Sequence, residues 1–346
     1  MEKNLNKAIN YYYEQLNKEQ QKAFYAIKEG LLNLQDSFAV PMLSKKELSD
    51  IYFMVRLDNP GIFYSVTFSY KYYADSTAVE IIPQYLFSKD KIREHRLAME
   101  SRVRKLVRQM ADLDEKGKEL FIHDFIVKNV TYDKLKKEYS HEIIGALGHG
   151  VAVCEGIAKA VKILCDELNI WCIIALSEAN PKKGIKYRHA WNVVRLGGQY
   201  YHLDATFDNT ISKDDMIRYD YFNLSDKQIF RDHESVIWKI PLCSDKEHFY
   251  YREKKLSWTT LEEVRNRTKQ AVKKKKNLLF HWRGGYLTRE LLKELLEIFT
   301  EEARIKERKA YVSVNWSQAV LQVRFEDGIG EEECEIVDNM LKENNI

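Results

Sequence analysis

Glycine and proline are scarce in this chain, 14 and 5 of 346 residues. Their scarcity excludes collagen-like and low-complexity architectures, and no flexible linker or internal repeat stands out. Cysteine is sparse as well. Five residues, an odd number, do not make the framework of a disulfide-stapled miniprotein. Net charge is nearly absent: 55 Lys+Arg oppose 52 Asp+Glu, a formal +3, which argues against a strongly basic nucleic-acid-binding protein. Long apolar runs are missing too. The most apolar stretch, 171–176, is far short of the ~20 residues that span a bilayer. Met1-Glu2-Lys3-Asn4 leads into no apolar segment of signal-peptide type. The expectation is a cytoplasmic protein with reduced cysteines, needing neither a membrane nor a nucleic acid as partner.

What is present is ordinary globular material. With 45% hydrophobic residues and little net charge, the chain is not intrinsically disordered. At ~100–200 residues per domain its length allows two or three units.

Residues 1–57 are rich in Lys, Glu, Gln, Leu and Ala with apolar recurrence at three and four, which predicts helix. Ser44-Lys45-Lys46-Glu47 has the form of a capping box, and Asp58-Asn59-Pro60-Gly61 ends the helix it opens. From 62 to 87 alternating aromatic and β-branched residues predict a hairpin that turns at Ala74-Asp75-Ser76. Helical periodicity returns over 89–110 and 115–130. In the middle third, 154–168 reads as a helix and 171–176 as a short buried strand. The runs 189–196 and 199–203 are two strands joined at Gly197-Gly198. A third unit begins near Ser257: helix, strand 277–282, helix 288–305, strands 309–315 and 318–325, and a final helix from Glu331. That order predicts a small α+β sandwich. The expected domains are therefore 1–114, 115–250 and 255–346.

The Gly197-Gly198 turn has a geometric consequence. A two-residue turn pairs Leu196 with Gln199 and, continuing outward, Trp191 with Asp204 and His189 with Thr206. Side chains alternate faces along a strand, so His189, Trp191, Asp204 and Thr206 share one face. His189 and Asp204 become diagonal neighbours at ~7–8 Å, within reach of each other's side chains. A carboxylate so placed fixes an imidazole's tautomer and stabilises its cation. Cys154 is the best nucleophile of the five cysteines, because it follows a loop and begins a helix, where the local field favours the thiolate. Cys165 and Cys172 sit inside apolar elements, and Cys243 and Cys334 lack a loop-to-helix setting. Spacing alone leaves open that Cys154 is a small buried hydrophobe and His189 a hydrogen-bonded core histidine.

The wording of the segments adds to this. Gly150-Val151-Ala152-Val153-Cys154-Glu155-Gly156-Ile157-Ala158-Lys159-Ala160 resembles the cysteine motif of the transglutaminase-like superfamily. His189-Ala190-Trp191-Asn192-Val193-Val194 resembles its histidine strand, and Gly198-Gln199-Tyr200-Tyr201-His202-Leu203-Asp204-Ala205-Thr206-Phe207-Asp208 its aspartate strand. The segment from His123 to Asp133 is similar to the helix before the core, and Tyr221-Phe222-Asn223-Leu224-Ser225-Asp226 with His233 to the tail of bacterial members. The resemblance covers about 115–235 and implies an α+β fold with a papain-like core. A helix bearing the cysteine would pack on an antiparallel sheet bearing histidine and aspartate. It implies Cys154 as nucleophile, His189 as general base and acid, and Asp204 as orienting carboxylate. Phe207 departs from the Trp that the family often carries there.

The implied activity is attack on amide bonds of proteins or peptides through a thioester acyl-enzyme. Hydrolysis is preferred; cross-linking of glutamine to amines, and a non-catalytic scaffold with a retained core, are the alternatives. No cofactor is expected, and no metal: there is neither a C-x-x-C pair nor H-E-x-x-H. Trp191 and Gly156 are candidates for lining the substrate cleft. Tyr201 and His202 read as structural, His149 as a solvent-facing loop residue and Asp208 as a turn cap. Lys273 to Lys276 read as a solvated helix end, and Tyr11-Tyr12-Tyr13 as a packed helix face.

Overall fold

Two capping boxes set the N-terminal helices of the structure, a computed structural model that describes residues 10–212 and 216–328 and the backbone of Glu335–Ile336. Asn17 with Gln20 caps α1 (Lys18–Leu32), and Ser44 with Glu47 caps α2 (Lys45–Asp58). Between them the reading of continuous helix fails. Phe38–Pro41 forms β1, which joins β2 (Ser65–Tyr72) and β3 (Ala78–Tyr85) in a sheet of order β1-β3-β2. Four residues are too few for periodicity to reveal. What holds β1 is its long-range pairing, Phe38 with Ile81 and Val40 with Val79. The tyrosine cluster is likewise not an α-helical face: Tyr12 precedes a single 3-10 turn, is buried, and donates its hydroxyl to the Ile174 carbonyl at 2.5 Å.

The central elements follow as α3 (Lys89–Arg108), α4 (Glu115–Asn129), β4 (Thr131–Tyr132), β5 (Val151–Ala152) and α5 (Cys154–Glu167). After them come β6 (Cys172–Ser177), β7 (His189–Leu196), β8 (Gln199–Leu203), α6 (Ala205–Ile211), β9 (Phe222–Leu224) and α7 (Asp226–Ile229). The four strands β6-β7-β8-β9 make an antiparallel sheet, and α5 packs on β6 and β7. Every residue of α5 from Gly156 to Cys165 is buried, as befits a helix enclosed on all sides. Its position between the sheet and the N-terminal helices makes the fold α+β and papain-like. The hydrophobic core runs without a break from Tyr12 to Phe222 and spans the expected boundary at 114.

At the hairpin, Gly197 (φ 54°) and Gly198 (φ 86°) adopt the two positive φ values that a two-residue turn needs. The register is the one anticipated, from Leu196 with Gln199 to Asn192 with Leu203. The ladder then stops. Asp204 becomes the N-cap of α6 and Thr206 enters the helix, so Thr206 does not face His189 as a strand partner.

The C-terminal unit contains α8 (Tyr250–Glu253), β10 (Ser257–Trp258), α9 (Leu261–Lys273), β11 (Leu278–Trp282) and α10 (Arg289–Arg304). It continues with β12 (Arg308–Asn315), β13 (Val320–Asp327) and β14 (Glu335–Ile336), the sheet order being β10-β11-β13-β12-β14. Alternation along β13 divides its side chains. Leu321, Val323 and Phe325 join the core under α9 and α10, while Val320 joins a cluster containing Trp191 and Tyr221 of the central unit. Lys273 to Lys276 close α9 and are exposed. The final helix expected from Glu331 lies outside the described residues, apart from Glu335–Ile336, which pair with β12 as a strand.

Candidate active site

Cys154 is the first residue of α5, partly exposed, with Val153 at the N-cap offering no side-chain hydrogen bond. The opening amides of such a helix have no intrahelical acceptor and carry the positive end of its dipole. His189 stands at the start of β7. Its Nε2 lies 2.6 Å from Asp204 Oδ2, and its Nδ1 is buried without a hydrogen-bond partner. Burial alone would discharge this imidazole. The Asp204 carboxylate outweighs burial, the Cys154 sulfur adds to it, and together they raise the His189 pKa to about 10. The ring therefore has one nitrogen held by a carboxylate and the other free for the thiol.

Asp204 is fully buried and holds four contacts. Oδ1 accepts from the amides of Thr206 (2.9 Å) and Phe207 (3.1 Å), while Oδ2 meets both His189 and His233 Nε2 (2.8 Å). Burial works against its charge, but His189 and then His233 hold the carboxyl well below the usual range. His233 was visible in the sequence only as part of a tail motif. Phe207, in the position where the family often has Trp, packs on His189, His233 and Tyr221.

The two cleft candidates face inward. Trp191 is 1% exposed, stacks behind the His189 ring and donates Nε1–H to His202 Nδ1 at 2.9 Å. Gly156 is buried against the 140–142 segment, where a Cβ would meet the Ser140 carbonyl oxygen at 2.2 Å. Neither is open to solvent: the rings of His189, His202 and His233 surround Trp191, and Ser140, Glu142 and Ala152 close over Gly156. Tyr132 lies on β4, partly buried. Burial, and after it the charges of Cys154 and Asp204, raise the pKa of its phenol. Its residue was part of a recognised motif, but nothing in that motif assigned it a place. Lys136 Nζ sits 3.1 Å from the centre of the Tyr187 ring, so the loops after Tyr132 and before His189 meet.

Beneath the cysteine, Lys159 binds both Glu142 (2.8 Å) and Glu155 (2.7 Å), and Arg56 of α2 reaches the same two carboxylates. The N-terminal region thus braces the first turn of α5. Asp208 is not a turn cap on the surface. It is fully buried and accepts from His123 Nε2 (3.0 Å) and the Tyr221 amide (3.1 Å). His149 is exposed and packs on Tyr139, and Tyr201 is buried with its hydroxyl on Asp245.

Two groups of side chains bring metal-ligating atoms together among the described residues: His189, Asp204 and His233, and His202, Asp226 and Cys243. In the first, the N···O distances of 2.6 and 2.8 Å are those of charge-assisted hydrogen bonds. In the second, the indole N–H of Trp191 can only donate, so His202 Nδ1 must be the acceptor and Nε2 carries the proton that goes to Asp226 (2.7 Å). A metal at Nε2 needs the opposite tautomer. As described, both groups are joined internally by hydrogen bonds.

No curated protein matches the chain. Among solved structures it is similar to a TGase, at 14% identity and a TM-score of 0.30, over 44% of this chain and 47% of that one. It is also similar to a candidate cysteine protease from Cytophaga hutchinsonii, at 15% identity and 0.27, over 41% of this chain and 62% of the other. The chain thus spans less than two thirds of either. The sequence profile of the transglutaminase-like superfamily matches residues 104–205, a segment that includes Cys154, His189 and Asp204. The chain carries a domain of the transglutaminase-like superfamily.

Proposed function

We propose that the protein is a cysteine-nucleophile enzyme acting on amide bonds of proteins or peptides, with water as the preferred acceptor. The observation that supports this most is the state of His189: one ring nitrogen fixed by Asp204, the other buried, unpaired and beside a partly exposed cysteine at a helix start. In the first half-reaction the thiol proton already resides on His189 Nδ1, in keeping with the raised pKa of that ring, and the Cys154 thiolate sulfur bonds to the amide carbon. The C–N bond then breaks, and His189 returns the proton to the departing amine. In the second, His189, now neutral, takes a proton from water as the water oxygen bonds to the thioester carbon. The C–S bond breaks, the carboxylic acid leaves, and the sulfur and the protonated His189 are restored as the starting pair. The Cys154 backbone N–H is the candidate donor for the oxyanion, as the first amide of a helix. The four described cysteines are free, consistent with work in a reducing cytoplasm.

No described helix is long and apolar enough to cross a membrane, and the reading requires no cofactor and no nucleic acid. A lysine amine in place of water would give cross-linking by the same first half-reaction. The test is to incubate the protein with a protein lysate and a labelled primary amine. New N-termini that depend on Cys154 support hydrolysis, amine incorporation that depends on Cys154 supports transamidation, and the absence of both overturns the enzyme reading.

A further inference from the structure

Proton transfer at the triad uses one imidazole, yet Asp204 holds two. His233 is 1% exposed at its side chain and lies between two carboxylates, Nε2 on Asp204 Oδ2 and Nδ1 on Asp232 Oδ1, each at 2.8 Å. A ring that donates from both nitrogens is a cation. Its other neighbours carry no compensating charge: the rings of His189, Trp191, Phe207 and Tyr221 surround it, and His202 lies beyond Trp191.

Asp232 is in turn fixed both from within the central unit and from outside it. Its Oδ2 accepts from the Tyr221 hydroxyl (2.7 Å) and from Gln318 Nε2 (3.3 Å). Gln318 sits on the turn between β12 and β13. Its amide nitrogen also reaches the Gln228 carbonyl (3.2 Å), and since both partners can only accept, it is the NH2 group that faces them. Asn315, at the end of β12, donates to Asp220 Oδ2 (2.9 Å) and to the Tyr221 hydroxyl (3.3 Å), and its Oδ1 takes the Gln318 backbone amide (3.1 Å). The contact is deep, since Asn315 and Gln318 are both buried.

We propose that His233 is a positioning residue of the triad, and that the C-terminal unit, through Gln318 and Asn315, holds it against Asp204. The unit is then part of the scaffold of the active site, not an appended module. The chain of contacts runs Gln318–Asp232–His233–Asp204–His189. Its chemical effect is to divide the charge of Asp204 Oδ2 between two imidazoles, which fixes the carboxylate and tempers its pull on His189. The consequence for rate rests on the reading of Cys154 as nucleophile; the positional claim does not.

The experiment therefore has two arms, both on the full chain. In the first, NMR titration of labelled imidazoles follows His189 in wild type and in His233→Gln, Gln318→Ala and Asn315→Ala. In the second, iodoacetamide labelling of Cys154 is timed at pH 6.5 in the same proteins, with circular dichroism checking that each is folded. Removing the second cation leaves Asp204 to His189 alone, so the His189 midpoint should move up by about one pH unit in His233→Gln, and in the same direction but less in the two C-terminal variants. Labelling should slow about tenfold in His233→Gln and about threefold in the others, the scale of one or two lost hydrogen bonds. If His189 titrates as in wild type in all the folded variants, the proposal is overturned, and Gln318→Ala and Asn315→Ala decide it should His233→Gln not fold. Wild-type Cys154 labelling no faster than an ordinary thiol would instead sink the enzyme reading, and the titration arm would still decide the positional claim.

Discussion

Two sets of cysteine, histidine and aspartate lie one strand apart in this protein, and only one combines a partly exposed thiol with an unpaired imidazole nitrogen. Cys154, His189 and Asp204 come from a helix start and two neighbouring strand ends. Cys243, His202 and Asp226 come from a loop, the middle of β8 and the first turn of α7. In the first set the thiol is partly exposed and one histidine nitrogen is unpaired; in the second the thiol is fully buried, its pKa is raised by burial and then by Asp226, and both histidine nitrogens are bonded. Reactivity comes less from the residue types than from what is left unsatisfied. An imidazole fully committed to Trp191 and Asp226 has no nitrogen left to hold a thiol's proton.

The largest expected effect tests that contrast directly. In the native protein iodoacetamide should label Cys154 quickly below pH 7 and leave Cys243 untouched until the chain is unfolded. His189→Ala should slow Cys154 labelling at pH 6 by about a hundredfold or more, the usual scale of a positioned proton acceptor, while His202→Ala should not bring Cys243 within tenfold of the wild-type Cys154 rate. Equal labelling of the two thiols in folded protein would erase the distinction.

The next effect falls on stability. Asp204→Asn removes the charge that two buried imidazoles share, and breaking one side of a buried pair costs about 3 kcal/mol or more. The loss should depend on pH with a definite sign. His189 is raised in the folded state, so its stabilisation is complete below its unfolded value of about 6.5 and is lost as pH rises through about 10. Urea unfolding between pH 6 and 11 should show wild type losing stability along that window and Asp204→Asn changing much less. A parallel decline in both would mean that Asp204 does not set the charge of His189.

The first set was legible in the sequence because each of its members lies at a feature that local rules can read. A helix start is marked by the loop before Cys154, and a tight turn by Gly197-Gly198. Its register carries His189 and Asp204 together even though the ladder ends one residue before Asp204. The second set was not legible, since His202, Asp226 and Cys243 meet only after α7 and the 230–243 segment fold back on β8. The same reason hides His233, Tyr132 and the His123–Asp208 pair, each joined across distances in sequence where no periodicity runs. β1 was missed for a related cause: its partner Ile81 is forty-odd positions beyond Phe38, and four residues have no period of their own. Trp191 was placed on the correct face, but what covers that face includes the segment carrying His233. Alternation along a strand says which way a side chain points, and nothing about what arrives to bury it.

The smallest expected effect would convert one set toward the other. Trp191→Phe keeps an aromatic ring behind His189 but deletes the N–H that now fixes His202 Nδ1. Leaving one buried acceptor unsatisfied costs about 1–2 kcal/mol, so unfolding should shift modestly and Cys154 labelling little. The tautomer of His202 is then no longer dictated. Its Nε2 can become the lone-pair nitrogen, beside the Asp226 carboxylate and the Cys243 sulfur, all three atoms lying within 4.8 Å of one another. Titration with Co2+, whose thiolate complexes absorb visibly, should give no signal in wild type and a weak one in Trp191→Phe that disappears in Trp191→Phe/Cys243→Ser. A signal of equal strength in wild type would show that the indole does not lock the histidine, and that the second set is closed by something other than its hydrogen bonds.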